Sequence, residues 1–136
     1  MINSLTSTVQ YDSAVSALKI QAILAIVFGG LGILLAFALV GLYILVGSLS
    51  MTELQPEEAI ELAVYGIVTP IALFITHIYL VISGIVLLKK PDPKIVKALS
   101  ITNIVVGAMF NLIVLIFAVL FIAKSGDYEK GYKPTN

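Results

Sequence analysis

Three uncharged apolar runs leave this chain few ways to fold. Gln21 to Gly47, Leu62 to Leu88 and Ala98 to Ala123 contain no Asp, Glu, Lys or Arg. A helix crossing a bilayer needs about 20 mostly apolar residues. Each run passes that length, and none is long enough to cross twice. The expected fold class is all-α: an integral membrane three-helix transmembrane bundle, with spans at 21–47, 62–88 and 98–123. Residues 1–12 and 125–136 read as mobile tails of a single transmembrane domain spanning 1–136. Only 12% of the 136 residues are charged, against about 25% in ordinary soluble domains. So little polar surface cannot cover so much apolar surface in water, and the lipid bilayer is the first expected partner.

The residue inventory excludes several chemistries. There is no cysteine, hence no disulfide, thiolate metal site or cysteine nucleophile. All eight basic residues are lysine, which removes the forked grip of arginine on phosphate or carboxylate. A net charge of zero gives no reason to expect nucleic acid. Lys19 before an apolar run, with Ala36-Phe37-Ala38 downstream, has the outline of a cleavable signal. The run continues unbroken to Gly47, however, which suits a span better than a signal.

Helix ends are marked by capping residues. Gln55-Pro56-Glu57-Glu58 reads as a start, with proline at the first position and acids in the first turn. Lys89-Lys90 suits the carbonyl end of that helix, and Asp92-Pro93 opens the next. Asp12 or Ser13 would cap an early start of the first helix, and Ser125-Gly126 would stop the last. The first loop, Ser48 to Glu61, holds four glutamates and no lysine, whereas Lys89 to Lys97 holds four lysines and one aspartate. The positive-inside rule then places the second loop and the amino terminus in the cytoplasm. With three crossings the first loop and the C-terminal tail are external, against the pull of Lys124, Lys130 and Lys133.

Membrane helices associate through small and polar residues, because lipid offers no hydrophobic drive between them. The first run carries Ala22, Ala25, Gly29, Gly32 and Ala36 on one stripe, prolonged by Tyr43. The second carries Thr69, Thr76 and Ser83 at seven-residue steps, shadowed by Pro70, His77 and Gly84. The third carries Ser100, Asn103, Gly107, Asn111, Val114 and Ala118. These stripes, with Gly29, Gly32, Ala36, Gly84 and Gly107 at their closest points, read as seams that join the helices. A water-lined path is the sharper alternative.

Thr69, Thr76, His77, Asn103 and Asn111 are the candidate intramembrane polar contacts. A histidine at mid-span is costly unless it faces protein or water, so His77 is expected to pair with Asn103, Asn111 or Thr76. Pro70 cannot donate to the carbonyl of Gly66, and a kink is expected there, with Thr69 or a neighbouring helix satisfying the freed group. Glu57, Glu58 and Glu61 read as solvated helix-start acids. Gly29-Gly30-Leu31-Gly32 lies inside a span and is no phosphate loop. No catalytic, cofactor-binding or metal-ligating set is expected. Lys89, Lys90, Lys94 and Lys97 are candidate lipid headgroup contacts.

An apolar span, an acidic loop with a Pro-Glu-Glu helix start, a second span ending Gly84-Ile85-Val86-Leu87-Leu88-Lys89-Lys90-Pro91 and a further apolar run together resemble a class of short uncharacterised bacterial multi-span membrane proteins. The likeness covers residues 20 to 123 and implies a bacterial plasma membrane. The function expected first is a non-enzymatic accessory or structural subunit that packs against a larger membrane complex or self-associates. An oligomeric pore-former of holin type, a small-solute channel and a membrane immunity protein are the alternatives.

Overall fold

The computed structural model describes the backbone of residues 2–50 and 54–134, and the side chains of 5–48 and 54–134 within them. Among these residues every regular element is helical. Helix α1 runs unbroken over Ile2–Ser50, 49 residues or about 73 Å. It therefore does not begin at a cap on Asp12 or Ser13, and residues 2–12, expected as part of a mobile tail, belong to this helix. Glu53 of the acidic loop lies outside the described residues.

Helix α2, Pro56–Ala63, opens with proline in its first turn, and the Gln55 amide donates to the Glu58 carboxylate at 3.1 Å. A π turn, Val64–Val68, joins it to α3, Thr69–Leu88. This turn is how the chain accommodates Pro70. The missing proline N–H shifts the ladder to wider spacing, and the Thr69 amide donates to the Val64 carbonyl. The Thr69 hydroxyl reaches that same carbonyl at 3.4 Å, not the carbonyl of Gly66. Helix α3 ends with Lys90 in the left-handed region, φ +50°, its amide bonded to the Leu87 carbonyl at 3.1 Å.

The third apolar run is not one helix. Helix α4, Pro93–Phe110, starts on an Asp92 cap that accepts from the Lys94 amide at 2.8 Å. At Asn111 the backbone is extended, φ −156° and ψ 91°, and α5, Leu112–Ala123, begins immediately afterwards. The chain turns back on itself there. A Cβ added to Gly107 would stand 2.6 Å from the Leu115 amide nitrogen, and Val96 near the start of α4 shares a buried cluster with Phe121 near the end of α5. Asn111 serves both helices: its amide donates to the Gly107 carbonyl at 2.8 Å, and its side-chain oxygen accepts from the Val114 amide at 3.3 Å. Helix α5 ends at Ala123 and the chain turns at Lys124; Ser125 and Gly126, expected as a stop, are the first residues of α6, Ser125–Gly131, which packs beside the start of α1.

Among the described residues three helices are long and apolar enough to cross a membrane: Leu5–Ser48, Pro56–Leu88 and Pro93–Phe110. That fits a membrane location. The 12 residues of α5 extend only about 18 Å, short of the ~30 Å hydrocarbon core. The fold is thus a long antiparallel pair, α1 against α2–α3, with a shorter α4–α5 hairpin against one half of it. The hairpin tip reaches the level of His77, whose ring centroid is 6.3 Å from that of Phe110.

Candidate functional site

Glycines set the approach of α1 and α3. A Cβ on Gly32 would collide with the His77 imidazole, one on Gly29 with Val81, and one on Gly84 with the Ala22 carbonyl and Ile26. Further along, the Tyr43 ring covers Gly66. The stripe Ala22, Ala25, Gly29, Gly32 and Ala36 is buried throughout. On α3 the buried row is Pro70, His77 and Gly84 together with Ser83, while Thr69 and Thr76 are only half-buried.

His77 is buried, and its Nδ1 lies 2.7 Å from the Leu73 carbonyl one turn earlier. A carbonyl only accepts, so Nδ1 carries the proton and donates. The Thr76 hydroxyl is 3.4 Å from the same nitrogen and donates to the Ala72 carbonyl at 2.8 Å. Asn103 and Asn111 are not partners of this imidazole. Asn111 caps α5, and Asn103 pairs elsewhere. The five polar candidates therefore do not converge on one path, because each turns to its own helix or to a single neighbour.

What does converge is a buried layer nearer the lysine-rich end. The Ser83 hydroxyl donates to the Asn103 side-chain oxygen at 3.1 Å, joining α3 to α4. The Ser100 hydroxyl donates to the Gln21 side-chain oxygen at 3.2 Å, joining α4 to α1. All four side chains are 0–1% exposed. The Gln21 and Asn103 amide nitrogens and the Tyr79 hydroxyl are buried without a partner among the described residues, and each such group costs about 1–3 kcal/mol. Gln21 escaped the sequence reading, although its place directly before Ala22 of the seam stripe is a usable signal.

No family model matches this sequence, and no curated protein or solved structure matches it either.

The second assembly is aromatic and basic. Tyr128 of α6 is 1% exposed and packs with Tyr11 at 5.8 Å, Phe121 at 5.9 Å and Tyr132 at 5.8 Å between ring centroids. Its hydroxyl donates to the Pro91 carbonyl at 2.8 Å. Burial, then the neighbouring Tyr11, Tyr132 and Asp92, push the phenol well above its ordinary value. Tyr11 also covers Gly131, where a Cβ would collide with its ring. Lys124 donates to the Ser13 hydroxyl at 2.8 Å. These contacts tie residues 125–132, expected as a mobile tail, to the second loop and the start of α1.

The lysine distribution follows from this packing. All eight lysines lie at the end of the molecule where α1 starts, α3 ends and α6 packs, with four carboxylates, Asp12, Asp92, Asp127 and Glu129. The opposite end carries the exposed Glu57, Glu58 and Glu61. The Tyr128 bond to Pro91 puts the tail beside the second loop, at the same end of the molecule. The candidate headgroup residues Lys89, Lys90, Lys94 and Lys97 are all exposed here.

Proposed function

We propose that this chain is a small integral membrane subunit whose outer face packs against a larger membrane complex or a second copy of itself. The observation that carries this reading is the disposal of its polar groups. Inside the spans the side-chain hydrogen bonds stay within and between the chain's own helices, the unpaired Gln21, Tyr79 and Asn103 atoms are buried, and the exposed surface is mainly apolar. Beyond the hairpin tip, α1 and α3 form a two-helix layer with a groove lined by Ala36, Phe37, Val40, Pro70, Ile71 and Phe74. Phe37 and Phe74 meet edge to face at 5.6 Å. Lipid needs no groove, whereas a side chain from another helix fits one.

The charge asymmetry supports a cytoplasmic lysine end under the positive-inside rule. The amino terminus, the second loop and the tail then share that side, the glutamates face outward, and α4–α5 is a re-entrant hairpin. The setting this implies is a plasma membrane, and the resemblance of the layout favours a bacterial one.

The test is the mass of the purified protein in detergent, followed by ion flux in liposomes. A fixed larger complex, or a defined homo-oligomer, without flux is the expected result. Discrete conductance altered by His77→Ala would overturn it. Single cysteines at positions 19 and 130 should react with an impermeant label from one side, and a cysteine at position 58 from the other.

A further inference from the structure

We propose that the cleft where α4, α5 and α6 meet at the lysine end is a specific site for the headgroup of an anionic phospholipid. It rests on the membrane reading above. The cleft measures about 160 Å³ and has a two-part lining. Val96 and Phe121, 1% and 0% exposed, form an apolar floor. Lys94 and Lys97, one turn apart at the start of α4, and Ser125 stand around it. Tyr128 closes one wall, fixed by its bond to Pro91. Glu129 also lines the cleft and can accept from a hydroxyl of the headgroup.

Two features separate this cleft from a diffuse positive surface. First, Lys94 and Lys97 of α4 are brought together in one cleft with Ser125 and Tyr128 of α6, a segment far from them in sequence. A topology signal needs only one basic loop. Second, the floor is apolar and the rim cationic, which suits an amphiphile with a phosphodiester above an acyl chain and suits a free anion poorly.

The experiment reconstitutes the full chain into nanodiscs of zwitterionic lipid containing a minority of phosphatidylglycerol, extracts it, and counts retained lipid by native mass spectrometry. One phosphatidylglycerol per chain should be retained. Lys94→Gln with Lys97→Gln should weaken retention roughly thirtyfold, from about 1 kcal/mol per lysine near an anionic surface. The control pair, Lys19→Gln with Lys133→Gln, removes the same charge outside the cleft and should change retention little. Millimolar inorganic phosphate should fail to displace the lipid. Equal loss in both pairs, displacement by phosphate, or retention without preference for the anionic lipid would each overturn the site. Failure to enter the nanodisc would instead overturn the membrane reading, so the two failures are distinguishable.

Discussion

The imidazole of His77 occupies the space that any side chain at position 32 would need. This fit fixes how closely α1 and α3 approach at the depth of the hairpin tip. Gly32→Ala forces a methyl group against a buried ring, and overpacking of this kind costs about 1–3 kcal/mol. Gly30, two residues away, has open space at its Cβ position, so Gly30→Ala should be neutral or slightly stabilising. Denaturant unfolding in detergent checks both. Equal stability of the two variants would refute the assigned seam.

The turn at Asn111 depends on its side chain and on the bare backbone of Gly107. Asn111→Ala removes the cap on Val114, at a cost of about 1 kcal/mol. Gly107→Val should cost more, because the obstructing atom is the Leu115 backbone nitrogen, 2.6 Å from the added Cβ, which cannot rotate away. Gly126→Val is the comparison, since nothing lies near its Cβ. If Gly107→Val were as stable as wild type, α4 and α5 would not be in contact.

Ser83 and Asn103 form a buried hydrogen bond between α3 and α4. Polar pairs inside membrane bundles contribute about 0.6 kcal/mol on average. A double-mutant cycle with Ser83→Ala and Asn103→Leu should return a coupling of that order. The single Asn103→Leu change should cost little, because it also removes an amide nitrogen buried without a partner. A coupling indistinguishable from zero would exclude the pair.

Tyr128→Phe deletes the bond to Pro91 and should cost about 1 kcal/mol at neutral pH. Its pH dependence has a definite sign. The folded phenol titrates above the ordinary value of 10.0, so the unfolded chain releases this proton first. The contribution is fully present below pH 10.0 and falls as pH rises beyond it. The difference in stability between wild type and Tyr128→Phe should therefore shrink above that pH. A difference that grew instead would show the phenol ionising more readily in the folded state.

Much of this fold was legible in the residue order. Hydropathy marks the apolar runs, and the Gly/Ala stripe of α1 marks the side that faces α3. Pro56 and Asp92-Pro93 mark their helix starts because caps and proline act within one turn. Asn111 was not legible. Ser100, Asn103, Gly107, Asn111, Val114 and Ala118 keep the same three- and four-residue steps straight through the break, so periodicity describes a continuous helix and a folded-back hairpin equally well. Tyr11, Tyr128 and Gly131 were similarly hidden, since nothing local tells an aromatic residue in a polar terminal segment that a glycine awaits it more than a hundred residues away.

What the sequence determined by itself is therefore the chain's solvent and its helical substance: long uncharged runs have no stable place in water, and in hydrocarbon their backbone must bond within itself. Only the tertiary structure decided that Leu112–Ala123 returns along Pro93–Phe110, bringing the last lysines beside the first. That choice depends on contacts between distant residues, Gly107 with Leu115 and Tyr128 with Pro91, whose energies exist only once the helices have met.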